Sequence, residues 1–277
     1  MLKNVYYNRI LPEIYRLKYK KIIDNYSTYA MFIGYPRSSH SLVGAILDAH
    51  KNVIIGHEVN VIRLLERGFK TDFILARIIS KAELFLKTEG SRTGYKYLIP
   101  NQFNGKFESV KVIGDKKGGS STRHLTRDLS LIHRVDKFKR NVKVYHVIRN
   151  PFDNIASMAR GGNLVRREVT PEVLDDSIKS YFESVSTVQK VKDLNKYEIY
   201  ELHISNLLND PEKYIRELFA FINIEIDSKF VEDCNSILFK NPKRTRDAVQ
   251  WSEEQLKQVQ DQCGEFEFLK HYTFNSD

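Results

Sequence analysis

The sequence predicts a single α/β domain spanning residues 1–277, with a mostly parallel central sheet flanked by helices. Three observations carry this. Short apolar runs that read as buried strands alternate with longer stretches of helical periodicity, the pattern of a parallel sheet covered on both faces. No Pro- or Gly-rich linker and no internal repeat divides the chain. The 277 residues suit one large domain, a size at which roughly three-quarters of the unfolded surface is buried.

Residues 1–28 are rich in Tyr and Lys and read as an N-terminal helical extension. Tyr29–Gly34 is a strand stopped by Gly, and Ser39–His50 is a helix with Leu42, Val43, Ile46, Leu47 and Ala49 on its apolar side. Val53–Ile55 is the next strand, followed by helices over Val59–Arg67 and Asp72–Lys87. Gly94–Leu98 and Ser109–Ile113 are strand-like, and Ser120–Lys137 reads as a helix with a break. Val142–Ile148 is the clearest strand, and Pro151 opens a helix where Pro is tolerated. A long helix over Thr170–Asp193, a strand over Glu198–Leu202 and helices over Pro211–Phe221, Asp227–Leu238 and Ser252–Gln262 complete the chain.

Composition narrows the function classes. Apolar residues at 42% and charged residues at 29% exclude a disordered, collagenous or disulfide-scaffold protein. No apolar run approaches the roughly 20 residues needed to span a bilayer, and the Lys/Arg-containing N-terminus lacks the apolar core of a secretory signal. The expectation is a cytoplasmic protein, or a lumenal one if cut from an anchor, with no membrane partner. Cys234 and Cys263 have no metal spacing, and the eight His are scattered, so no metal is expected. The net charge of +9 is concentrated between Lys111 and Arg149, where eleven Lys and Arg face three Asp. Such a block suits nucleic acid, a solvated basic face or a small, heavily phosphorylated ligand.

The motifs favour the third. Gly34-Tyr35-Pro36-Arg37-Ser38-Ser39-His40-Ser41 joins a strand to a helix, a turn that aims backbone N–H groups and a helix N-terminus at one anion. Set against the triphosphatase loop GxxxxGK[ST], Gly34 and Ser41 fit. Ser39 replaces the second Gly and His40 the Lys, which argues against a small-molecule kinase. Taken alone, the pattern also suits a well-capped helix.

Tyr-Pro-Arg-Ser-x-x-Ser-Leu, followed by Leu47-Asp48-Ala49-His50 and Gly56-His57-Glu58, resembles the 5′-phosphosulfate loop and base segment of sulfotransferases, with motif spacing close to the protein-tyrosine and heparan-type enzymes. Arg149-Asn150-Pro151-Phe152-Asp153-Asn154-Ile155-Ala156-Ser157 resembles the family's 3′-phosphate motif, an Arg after a strand with a Ser eight residues on. Lys243-Arg244-Thr245-Arg246 before Trp251 resembles the family's C-terminal basic segment. The three occur in the family's order and span residues 33–251.

The resemblance implies a P-loop-like sulfotransferase fold and 3′-phosphoadenosine 5′-phosphosulfate (PAPS) as donor, without a metal. It implies that Arg37 contacts the phosphosulfate. Ser38, Ser39, His40, Ser41 and Leu42 would hold the 5′-phosphate. Arg149 and Ser157 would bind the 3′-phosphate, with Arg244 or Arg246 closing over it; spacing does not choose between them. Singly, a strand-end Arg and a helix-surface Ser would look the same. His40 would either stabilise the leaving phosphate when protonated or pack when neutral. Glu58 is the first candidate for the base and His57 the second, although an acid at a helix N-terminus is also favoured by the dipole. Lys116, in Gly-Asp-Lys-Lys, resembles a Lys that reaches the transferring sulfonate; a surface Lys is the plain alternative.

The tyrosine-sulfating enzymes carry Arg two residues past the base, where Asn60 stands here. This points away from acidic-peptide recognition and toward a small hydroxylated or amino metabolite, as in natural-product tailoring, with a protein or glycan acceptor as the alternative. Helices 59–68 and 71–90 and the Gly161-Gly162 loop would frame its pocket. A nucleic-acid partner is not expected, because the signature residues are dispersed over three motifs.

Overall fold

A computed structural model describes residues 5–87, 91–92, 95–161, 167–238 and 244–276. The chain opens on a π-helical turn, Tyr6–Ile10, and continues into α1 (Leu11–Lys18) and α2 (Lys20–Asn25). There follow β1 (Thr28–Ile33), α3 (His40–Asp48), β2 (Val53–Gly56), α4 (Val61–Glu66) and α5 (Thr71–Lys87). A two-stranded antiparallel hairpin, β3 (Ser91–Arg92) and β4 (Tyr95–Lys96), leads to β5 (Val112–Asp115) and α6 (Gly118–Arg127). A 3-10 helix over Leu129–Phe138 precedes β6 (Asn141–Ile148), α7 (Pro151–Ala159), α8 (Pro171–Asp193) and β7 (Glu198–His203). The last helices are α9 (Ile204–Asn209), α10 (Pro211–Ala220), α11 (Ser228–Asn235) and α12 (Glu253–Gly264), with a short 3-10 turn at Thr245–Ala248.

The central sheet has five strands in the order β2-β5-β1-β6-β7, all parallel, as the alternation of elements predicts. Every residue of β1 is buried, because helices cover both faces and leave no polar side to alternate with. Tyr29, Met31 and Ile33 join a core with α4, α5, α7 and α8. Ala30 and Phe32 point the other way, into a core with α3, α10 and α11. The helical extension leans on α5, where Tyr15 and Tyr19 both donate to Glu83 at 2.6 and 2.7 Å.

The differences from the sequence reading have local causes. The segment expected to be a strand over Gly94–Leu98 contributes only Tyr95–Lys96, outside the main sheet; Gly94 lies outside the described residues. The Ser109–Ile113 strand starts later and runs to Asp115, because β5 pairs in register with β2 up to Gly56↔Asp115. The helix expected over Ser120–Lys137 breaks at Asp128, whose carboxylate accepts from Ser130 N and starts the 3-10 helix. The short helix α9 went unanticipated, because Pro211 closes it too soon for periodicity to register.

The basic block does not form one face. Lys116 and Lys143 are buried, the latter pairing with Glu198 at 2.6 Å. Arg134 and Arg140 donate to the backbone carbonyls of Leu65 and Tyr26. Among the described residues, no helix is long and apolar enough to cross a membrane.

Candidate active site

The loop after β1 is held in an unusual backbone conformation. Gly34 has φ 127°, while Arg37 and Ser39 adopt left-handed φ values of 71° and 70°. The sequence puts Ser where a Gly is usual, and the backbone there keeps the Gly-like conformation, at a cost of roughly 1–2 kcal/mol for an L-residue. Surrounding contacts hold it in place. Gly34 N donates to Thr122 Oγ1 at 2.8 Å, Ser38 Oγ to Tyr35 O at 2.8 Å, and Asn154 Nδ2 to Pro36 O at 2.7 Å. Tyr35 OH meets His146 Nε2 at 2.8 Å. Gly118 and Gly119 let α6 approach closely: a Cβ on Gly118 would lie 2.5 Å from His40 Cε1, and one on Gly119 2.7 Å from Pro36 N.

The predicted loop residues therefore divide. Arg37 reaches outward and donates from Nε to Ser157 Oγ at 3.2 Å. Ser41 Oγ accepts from Lys116 Nζ at 2.6 Å. The Ser38 hydroxyl is spent inside the loop, and Leu42 N donates to Ser39 O while its side chain enters the core. His40 packs inward, its Nε2 3.2 Å from Ile33 O. Burial, reinforced by the nearby Lys116 ammonium, lowers its pKa to about 3. The ring is thus neutral, and of the two roles the sequence left open for it, the packing one fits this geometry.

Arg149, at the end of β6, donates to Thr245 Oγ1 at 2.9 Å and lies 3.8 Å from Asp153. Burial chiefly lowers its pKa, Asp153 opposes this, and Arg37 and Arg246 add repulsion. Three guanidinium groups thus converge near Ser157. Arg246 is only 1% exposed. It is locked to Asp153 by its backbone N at 2.9 Å and a terminal nitrogen at 3.2 Å, and to Ser276 O at 2.7 Å. Arg244 is more exposed, pairing with Asp247 at 3.1 Å. Arg244 also donates to Phe274 O at 3.4 Å; Lys243 lies outside the described residues, as does Gly162 of the loop expected beside the acceptor.

Glu58 sits in a left-handed conformation, φ 64°. The neighbouring turn is fixed by Asp115, whose carboxylate accepts from the backbone N of Val59, Asn60 and Val61 at 3.1, 2.8 and 3.3 Å. Burial raises the Asp115 pKa to about 6 against the pull of these amides. Glu58 Oε1 lies 3.1 Å from Lys116 Nζ, and Oε2 pairs with Lys117. Lys116 thereby bridges Glu58 to Ser41 of the first loop. His57 points elsewhere: it stacks on Phe85 at 3.5 Å, and its Nε2 lies 3.6 Å from Asp48 Oδ2. Burial lifts the Asp48 pKa to about 8. The two adjacent candidates for the base are thus separated, with Glu58 beside the loop and Lys116, and His57 packed inward against Phe85 and Asp48.

Sequence reasoning passed over Lys117, Asp115 and Asn154. Lys117 was visible in the Gly-Asp-Lys-Lys run, but the pairing of Asp115 with three amides is a property of the folded turn alone. Among the described residues, no group of three or more His, Cys, Asp or Glu is placed to hold a metal ion.

The family model described as the sulfotransferase domain matches residues 30–271. Among solved structures, the sulfotransferase STF9 from Mycobacterium avium shares the fold at a TM-score of 0.53 and 10% identity, covering 94% of this chain and 82% of that one. A sulfotransferase from Alicyclobacillus acidocaldarius gives 0.46 at 11% identity, over 88% and 95% of the two chains. No curated protein matches the chain.

Proposed function

The chain belongs to the sulfotransferase family, and from that premise we propose that it transfers the sulfuryl group of PAPS to a hydroxyl or amine of a small-molecule acceptor. The observation that supports the donor assignment best is the convergence of Arg37, Arg149 and Ser157 on a loop whose Ser41 meets Lys116 of the Lys116–Glu58 pair. Asp153 offsets part of this charge, and a bound anion would offset more. A ligand with phosphates at its 3′ and 5′ ends offers two.

In this reading Arg149, Ser157 and Arg244 bind the 3′-phosphate by charge-assisted hydrogen bonds. The loop amides and Arg37 hold the 5′-phosphosulfate. Glu58 takes the proton from the acceptor as its oxygen or nitrogen forms a bond to sulfur. The bond from sulfur to the 5′-phosphate oxygen breaks, and the electron pair stays on that phosphate. Arg37 and Lys116 meet the charge that builds there. The products are the sulfated acceptor and 3′-phosphoadenosine 5′-phosphate (PAP).

The test is incubation with sulfur-35-labelled PAPS and a panel of phenols, alcohols, sterols and amines. Label should move to at least one acceptor with release of PAP. Absence of transfer, together with equal affinity for PAP and AMP, would refute the assignment.

A further inference from the structure

Helix α5 carries two cations that the proposed chemistry leaves unused. Arg77 and Lys81 are four residues apart and so lie on one side of the helix, and Phe85 continues the line. Phe85 stacks on His57, the neighbour of Glu58. His57 faces away from Glu58, but at the other end of the line Arg77 feels the charge of Asp115, the carboxylate that fixes the turn after Glu58.

Both cations are half-buried. The terminal nitrogens of Arg77 donate to Asn8 O and Oδ1 at 3.4 and 2.8 Å, while its Nε–H is buried without a hydrogen-bond partner among the described residues. Lys81 makes no ion pair or hydrogen bond with a described residue. Burial and then Arg77 lower the Lys81 pKa. Burial lowers that of Arg77 too, with Asp115 opposing and Arg63 adding. Asp115 and the carboxylates of α4 and α5 are engaged. Asp115 accepts its three amides, Asp72 pairs with Arg16 at 3.0 Å, Glu83 accepts from two tyrosines, and Glu66 pairs with His124 at 3.0 Å.

We propose that Arg77 and Lys81 form the recognition site for an anionic group of the acceptor: a carboxylate, phosphate or sulfate ester. The proposal rests on the sulfuryl-transfer reading. Lys81 supplies a point charge and Arg77 a second cation one turn away. An acceptor anchored there presents its hydroxyl or amine to Glu58. The acceptor class becomes a small anion that carries a nucleophile, in place of a neutral alcohol or sterol.

The test uses 4-hydroxyphenylacetate, 4-hydroxyphenyl phosphate and 4-hydroxyphenyl sulfate against two neutral phenols, methyl 4-hydroxyphenylacetate and 4-methoxyphenol. Each is titrated calorimetrically into the protein with and without saturating PAP. At least one anion should bind about tenfold or more tighter than the neutral phenols, as a charge-assisted contact allows. Lys81→Gln and Arg77→Gln should each bring that anion to within about twofold of the neutral pair, with PAP affinity unchanged. Lys81→Gln breaks no described hydrogen bond, so it separates recognition from folding. Neutral phenols binding as well as the anions, no anion binding at all, or a preference that survives both variants would each overturn the proposal. If PAP fails to bind while the Lys81-dependent preference remains, the donor reading falls and the anion site stands.

Discussion

Arg37 donates from Nε to Ser157 Oγ at 3.2 Å, joining the loop after β1 to the helix that follows Arg149. The two ends of the donor would meet across this contact, so neither motif acts alone. PAP should bind much more tightly than AMP. Arg149→Ala should erase most of that preference, since a hydrogen bond to a charged group contributes about 1.5–3 kcal/mol. Calorimetry with both nucleotides checks this, and an undiminished preference in the variant would remove Arg149 from the 3′-phosphate site.

Charge neutralisation is assigned to side chains and loop amides, so activity should survive exhaustive chelation. The measurement is sulfuryl transfer before and after dialysis against EDTA. A loss that magnesium restores would bring back the kinase-like reading that the missing loop Lys disfavours.

The contact between α6 and the loop should be intolerant of volume. A Cβ on Gly118 would lie 2.5 Å from the His40 ring, and overpacking of this kind costs about 1–3 kcal/mol. Gly118→Ala should lower stability by that order in urea unfolding. In a His40→Ala background the same change should cost much less, because the atom it strikes is gone. Equal costs in the two backgrounds would mean that the ring does not set the spacing.

The strand and helix order was readable because buried strands appear as apolar runs and Pro151, Pro171 and Pro211 sit at helix starts. The loop and the Arg149–Ser157 spacing were readable because each lies within one short segment. What could not be read depends on contacts between segments. The inward turn of His40 requires Gly118, some 78 residues later in the chain. The locking of Arg246 requires Asp153 and the Ser276 carbonyl. The divergence of His57 from Glu58 requires Phe85 and Asp48 on one side and Lys116 on the other.

The buried Asp48 makes stability depend on pH in a definite direction. Its carboxyl holds a proton up to about 8 in the folded chain and only to its ordinary value of 3.8 when unfolded. The folded state therefore binds more protons between these values, and this group's contribution to stability falls as pH rises through them. Asp48→Asn keeps an oxygen for the Ile55 N–H, which now reaches Oδ1 at 2.7 Å, and removes the titration. The melting temperature of the variant relative to wild type should rise from pH 5 to pH 8. A difference that stays constant across that range would show that Asp48 is already ionised in the folded chain at pH 5.

The last prediction concerns the base. Glu58 and His57 are adjacent in sequence but face different partners. Glu58 is tied through Lys116 to Ser41, within the loop that would hold the donor. His57 is stacked on Phe85 and set against Asp48. Glu58→Gln preserves shape and removes basicity, so turnover should fall by roughly 10²–10⁴-fold, the usual contribution of general base catalysis, while PAP affinity stays near wild type. His57→Ala should act mainly on stability by opening a cavity beside Phe85, with a smaller effect on turnover. If His57→Ala is the inactive variant and Glu58→Gln turns over normally, the roles are reversed and the proton leaves through His57. If both remain active, the acceptor ionises without help. In that case a phenol of pKa near 7 should react at the wild-type rate in both variants and an aliphatic alcohol should not.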